Sequence, residues 1–219
     1  MTVSENLKKL NKELPNNVTL IAVSKTKPVS DLMEAYNAGQ RTFGENKIQE
    51  MEAKWQEMPK DVEWHMIGHV QRNKVKYMAP FVSLIHAVDS LKLLKEINKE
   101  AEKNKRSIDC LLQIKIAEED SKFGMNEADA AKLLASEEYR KLQNLNIVGL
   151  MGMATFTEDK KQISEEFQKL KKIYDRLKIL NPEFRILSMG MSGDYKIAIE
   201  NGSNMVRVGS AIFGERNYN

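Results

Sequence analysis

Two hydrophobic periods alternate along this chain, and they do so eight times. Short apolar runs rich in β-branched residues read as strands. Longer stretches with apolar residues three and four apart read as helices. The strand-like runs cover 19–24, 42–44, 64–68, 84–88, 109–116, 147–153, 185–189 and 205–209. Helical spacing fills 30–38, 46–57, 70–77, 91–101, 127–136, 163–177 and 193–201. In the fourth of these helices Leu91, Leu94, Ile97 and Ala101 make one stripe; in the sixth Ile163, Phe167, Leu170, Ile173 and Leu177 do the same.

Strands that each lead into a helix predict parallel βαβ units. Their near-continuous apolar character fits a sheet covered on both faces. Within the α/β class, a count of eight favours a (β/α)8 TIM barrel over an open doubly wound sheet. Residues 4–14 predict an extra N-terminal helix outside the repeat. No linker or low-complexity stretch interrupts the pattern, so 1–219 reads as a single barrel domain. The Lys and Glu runs at 92–106 and 160–178 read as solvated helix faces.

Charge and composition narrow the function. There are 34 Lys and Arg against 31 Asp and Glu, a net charge of +3. That is too little to argue for nucleic acid as a partner, and the basic stretch Arg72-Asn73-Lys74-Val75-Lys76 reads as a solvated helix start. The single cysteine, Cys110, forms no intramolecular disulfide and no CxxC pair. This fits a reducing compartment, so the expected location is cytoplasmic. The N-terminus lacks the apolar core of a signal peptide. No run approaches ~18 consecutive apolar residues, so no spanning helix and no membrane partner is expected.

In a barrel of this kind chemistry sits at the C-terminal ends of the strands. Three features stand out there. The first is a pair of loops. Ser192-Gly193 precedes a helix, whose unpaired N–H groups favour a phosphate, and Gly209-Ser210 follows the last strand with a hydroxyl and room for close approach. One such loop alone reads as a turn with an N-cap serine; two adjacent ones favour a phosphate pocket. The second is Lys25, which closes an apolar strand and could bond covalently to a carbonyl ligand as the neutral amine. Lys27 competes with it, and Pro28, which ends the strand, favours Lys25 only slightly. The third is Arg207, set inside Met-Val-Arg-Val-Gly. A buried guanidinium needs a partner: either an unseen carboxylate or, as a planar donor, a ligand heteroatom near the phosphate.

An aldehyde, an aromatic nitrogen and a phosphate together describe pyridoxal 5′-phosphate (PLP). The chain resembles the pyridoxal phosphate homeostasis protein family from about Val18 to Tyr218, through a set of long motifs. These are Ala22-Val23-Ser24-Lys25-Thr26-Lys27-Pro28, Phe43-Gly44-Glu45-Asn46, and Trp64-His65-Met66-Ile67-Gly68 with Gln71, Asn73 and Lys74. Leu187-Ser188-Met189-Gly190-Met191-Ser192 and Met205 to Gly214 complete it. The resemblance implies a barrel like the N-terminal domain of alanine racemase. It implies Lys25 as the lysine of the internal aldimine, which decides between Lys25 and Lys27. It also implies Arg207 facing the pyridine nitrogen, Ser192, Gly209 and Ser210 at the phosphate, and Asn46 beside the cofactor. His69-Val70 departs from the family pattern at a loop position, and Arg72 is unremarkable; neither is expected to touch the cofactor set.

The arginine carries a chemical implication. Unlike a carboxylate, it does not keep the ring nitrogen protonated, so carbanion stabilisation should be weak. Racemisation also needs a second acid or base opposite the lysine. In alanine racemase a separate C-terminal domain supplies that group across a dimer, and here the chain ends at Asn219, just past the barrel. The expectation is a non-catalytic PLP-binding protein of cofactor homeostasis. It would be a monomer, with PLP-dependent apoenzymes as candidate partners. The alternative is a PLP-dependent amino-acid racemase of the fold-type III class, with Tyr36, Tyr77 or Tyr195 as its base. Two other readings fail on the residues. Gly209 to Gly214 has a P-loop's first spacing, but Glu215 stands where lysine is required. His65 and His69 are four apart, yet a strand at His65 keeps them off one helix face, and no HExxH or cysteine supports zinc.

Overall fold

The computed structural model describes residues 2–118 and 123–214; Glu215 and Tyr218 lie outside the described residues. The first strand, β1 (Thr19–Val23), is followed by α2 (Val29–Asn37), and α1 (Val3–Glu13) precedes both. The chain continues through β2 (Thr42–Glu45), α3 (Ile48–Glu57), β3 (Glu63–Met66), α4 (Val75–Met78) and β4 (Val82–Val88). Next come α5 (Leu91–Lys103), β5 (Ile108–Gln113), α6 (Glu127–Ala135), α7 (Glu137–Arg140) and β6 (Leu145–Met151). The last elements are α8 (Lys160–Leu180), β7 (Ile186–Ser188), α9 (Tyr195–Glu200), β8 (Met205–Val208) and α10 (Ser210–Phe213).

The eight strands pair in parallel, each with the next, and the sheet closes on itself. Closure runs through β1 and β8, with Thr19 opposite Met205 and Ala22 opposite Val208. The (β/α)8 barrel expected from the periodicity is therefore the fold observed. Inside it Ile21, Leu84, Leu111, Val148, Met151 and Met205 form the interior layer. A larger apolar layer lies between strands and helices, and the stripe residues Phe167, Leu170, Ile97 and Ala101 are fully buried there.

The extra N-terminal helix is present. Thr2 and Glu5 cap it reciprocally, the Glu5 N–H donating to Thr2 Oγ1 at 3.2 Å and the Thr2 N–H to Glu5 Oε2 at 2.9 Å. Leu7 and Leu10 are its buried side chains, each contributing roughly 1.5–3 kcal/mol of burial. Asn6 donates to the Ile212 carbonyl at 3.0 Å and the Ser4 N–H to Glu34 at 2.9 Å. The helix thereby bridges α2 and α10, the first and last helices of the barrel.

Two helices are shorter than their spacing predicts. The stretch 70–77 is a 3-10 turn, Arg72–Lys74, running into α4. Val70 is buried ahead of it, and Pro80 blocks further extension because it lacks an N–H. The stretch 193–201 begins as helix only at Tyr195. The N–H groups of Asp194 and Tyr195 both donate to the Met191 carbonyl, so residues 191–194 form a turn first. Among the described residues no helix is long and apolar enough to cross a membrane.

Candidate functional site

The C-terminal mouth of the barrel opens into a cavity of about 650 Å³, within the range of small-molecule sites. Lys25, Asn46, Ser192, Arg207, Gly209 and Ser210 all line it. They come from four different loops and one strand, and the barrel's closure brings them to one wall. Lys27 lines the cavity too, and its Nζ donates to the Phe213 carbonyl at 2.8 Å.

The two phosphate-loop candidates are joined to each other. The Gly209 N–H donates to Ser192 Oγ at 3.1 Å. Ser192 is therefore not the N-cap of α9, as its position before the helix suggested. Asp194 holds that place, accepting the Met191 N–H at 2.5 Å. Gly209 instead leads directly into α10, with Ser210 as its first residue. Asn46 is fixed by a close approach. A Cβ on Gly68 would lie 2.4 Å from the Asn46 carbonyl oxygen, so only glycine after β3 lets the two loops stack as they do.

Arg207 is buried on β8. Its Nη1 donates to Ser188 Oγ at 2.6 Å and its Nη2 to the Gly152 carbonyl at 3.2 Å. Both acceptors are neutral; among the described residues no carboxylate lies within salt-bridge distance. Burial lowers the guanidinium pKa to about 10, partly offset by Asp194. A desolvated cation whose bonded partners among the described residues are neutral, beside a cavity, is a site for a ligand that brings an acceptor. With a lysine amine and two hydroxyl-bearing loops, the donor set fits a phosphorylated aldehyde carrying a ring nitrogen.

Sequence reasoning missed what stands behind Arg207. Ser188 Oγ lies 3.1 Å from His86 Nδ1, and His86 Nε2 lies 3.0 Å from His65 Nδ1. Arginine only donates, so Ser188 accepts from it and gives its own proton to His86 Nδ1. His86 then carries its proton on Nε2 and donates to His65. Burial holds both histidines neutral: His65 falls to about 3, and His86 lies well below its ordinary value, since a second proton on the pair would meet repulsion and the Arg207 cation adds to the burial. The available signal was polar residues at inward positions of apolar strands. His65 was read correctly as a strand residue, away from His69.

His69, set aside on sequence, lines the rim of the cavity. Its ring stacks on Phe123 at 4.6 Å and 20°, and its Nδ1 lies 3.7 Å from Asp89. Gln113 reaches from β5 to donate to the Phe123 carbonyl at 3.0 Å. The three candidate tyrosines are elsewhere: Tyr36 donates to Asp61 at 2.8 Å, Tyr195 to Glu13 at 3.1 Å, and Tyr77 lies under Lys76. Among the described residues the cavity wall contains no tyrosine.

A family model described as "Alanine racemase, N-terminal domain" matches residues 2–217. The pyridoxal phosphate homeostasis protein of Vibrio alginolyticus is 41% identical over 209 residues, covering 93% of this chain and 89% of that protein. The chain belongs to the pyridoxal phosphate homeostasis protein family. The Aquifex aeolicus member is 38% identical with the same coverage of both chains. PipY of Synechococcus elongatus superposes with a TM-score of 0.91 at 36% identity in its structure without PLP, covering 97% of this chain and all of that one. Its structure with PLP bound gives 0.89 at 35%, with the same coverage. Alanine racemase of Clostridium difficile, at 14% identity and a TM-score of 0.82, shares the fold over all of this chain and 60% of its own.

Proposed function

We propose that this chain binds pyridoxal 5′-phosphate and serves the intracellular supply of that cofactor without turnover of its own. One observation carries the reading: the six residues expected to hold the cofactor wall a single cavity, in a family named for PLP homeostasis. PipY, a relative at 35% identity, has PLP bound in its structure.

Bound there, the cofactor supplies an aldehyde. The Lys25 amine would hold it by a reversible covalent bond. Ser192 and Ser210 offer hydroxyls, and Gly209 offers close backbone approach, to the phosphate. Arg207 would offer a planar donor to the ring nitrogen and, being charged, would give that nitrogen no proton. Asn46 closes the side next to β2. A cavity wall without tyrosine among the described residues, with an arginine set to partner the ring nitrogen, supports binding over racemisation. In the same reading the chain works as a cytoplasmic monomer and hands the cofactor to PLP-dependent apoenzymes.

An absorbance scan of purified protein with PLP, before and after borohydride, tests the binding. A visible band is expected, and a covalent label resistant to removal at Lys25. The Lys25→Ala variant should lose both; a variant that kept the label would displace Lys25 from its role. Chiral chromatography after long incubation with amino acids should show no racemisation, and robust turnover would replace this reading with the racemase. Light scattering on a sizing column reads the monomer.

A further inference from the structure

Lys25 does not project from the strand itself. It sits second in a turn from Ser24 to Lys27, closed by the Lys27 N–H donating to the Ser24 carbonyl at 3.1 Å. Thr26, third in that turn, has φ +65°, a left-handed conformation that β-branched residues rarely adopt. Such a conformation persists only where its surroundings over-determine it.

Here the surroundings are a cluster of three ionic side chains. Lys54 of α3 is buried, and its Nζ donates to Glu45 Oε1 at 2.7 Å, to Glu50 Oε1 at 2.7 Å and to the Ser24 carbonyl at 2.8 Å. Glu50 Oε1 also accepts the Thr26 N–H at 2.6 Å, and Ser24 Oγ donates to Glu45 Oε1 at 2.6 Å. The residue before Lys25 is thus fastened to Lys54 and Glu45, and the residue after it to Glu50, all members of one bonded cluster. None of the three lines the cavity. Buried ion clusters are a poor source of stability, and this one leaves Glu45 Oε2 without a partner. Its contacts converge instead on the turn that carries Lys25.

We propose that Lys54, Glu45 and Glu50 are positioning residues for Lys25, holding its turn in the left-handed form and setting the charge its amine feels. The proposal rests on the reading of Lys25 as the cofactor's anchor. Lys27 and Arg207, the other cations on the same wall, and His69 at the rim stay unchanged in the variants that test it.

The test uses the full-length chain labelled with 13Cε-lysine, without cofactor, as wild type, Lys54→Met and Glu50→Gln. The Lys25 signal is assigned by its loss in Lys25→Arg. Removing the Lys54 cation favours the Lys25 ammonium and should raise its titration midpoint by about half a pH unit; removing the Glu50 anion should lower it by about as much. Glutamine keeps an oxygen for the Thr26 N–H, so that variant changes charge alone. Opposite shifts are not produced by a loosened barrel. In a second measurement, PLP with borohydride should label Lys25 about tenfold more slowly in Lys54→Met than in wild type. Midpoints that stay in place in both variants, or move in one direction, overturn the proposal, as does wild-type labelling of Lys54→Met. Should Lys54→Met not fold, the Glu50→Gln midpoint decides. If wild type takes no label while the midpoints shift oppositely, the anchor reading fails and the clamp stands.

Discussion

Arg207 on β8 and Ser188 on β7 are joined across the barrel mouth by a 2.6 Å hydrogen bond from Nη1 to Oγ. The bond ties the cavity to the barrel interior, because the same hydroxyl meets His86, and His86 meets His65. A buried cation thus faces the cavity on one side and a chain of neutral polar groups on the other.

Ser188→Ala should expose the dependence of that chain on one oxygen. It leaves a donor of Arg207 and an acceptor of His86 unpaired in a fully buried place. The expected loss is about 1–3 kcal/mol of folding stability, read as a lower urea midpoint with an unchanged slope. A midpoint equal to wild type would mean that water or another group takes the hydroxyl's place.

The histidine pair predicts a pH dependence. Both have folded-state pKa values below the ordinary one, His65 at about 3. Unfolded histidines bind protons below about pH 6.5 while the folded ones stay neutral, so stability falls as pH drops from there toward the folded values. Each contributes a slope of up to about 1.4 kcal/mol per pH unit. His65→Gln should flatten the curve by about that amount between roughly pH 6 and 5, above most carboxylate titrations. Denaturant unfolding at a series of pH values measures it; an unchanged slope would show that His65 titrates freely.

The barrel was legible because its strands are apolar on both sides and its helices on one, and that contrast survives in sequence. That Lys25, Asn46, Ser192, Arg207, Gly209 and Ser210 would meet at one cavity was legible because strand ends are where this fold keeps its chemistry and because they sit in long motifs. The contacts behind them were not. Lys54 lies at a position in α3 where lysine usually reaches solvent, and only the folded chain brings it under Ser24. His86 and Ser188 are 102 residues apart, and no local period relates them. The start of α9 slipped by two residues because the N–H groups of Asp194 and Tyr195 turn back on Met191 before the helix begins.

Gly68→Ala should act on the site through the backbone. The added carbon would fall 2.4 Å from the Asn46 carbonyl oxygen and 2.8 Å from its Cα, and neither can yield as a flexible side chain would. The loop after β2 must move. The expected result is a loss of about 1–3 kcal/mol in stability, the usual cost of overpacking, with weaker PLP uptake. Thermal unfolding and a titration of visible absorbance measure the two, and wild-type values for both would show that the loop has room.

Arg207→Met separates stability from binding. The guanidinium is buried, its pKa pressed down to about 10, and its acceptors are neutral. Replacing a desolvated charge by an apolar chain of similar length is commonly neutral or stabilising. Ser188 loses one donor but keeps His86, and the Gly152 carbonyl loses its 3.2 Å bond from Nη2; these two losses are set against the desolvation cost of the guanidinium. The variant without cofactor should therefore be at least as stable as wild type, and up to about 1–2 kcal/mol more stable. Its affinity for PLP should fall at least about tenfold, a loss of roughly 1.4 kcal/mol, and its visible band should shift. Urea unfolding without PLP and absorbance titration with it give the two numbers. A fall in stability with unchanged affinity would make Arg207 a structural group of the barrel rather than a donor held for the ligand.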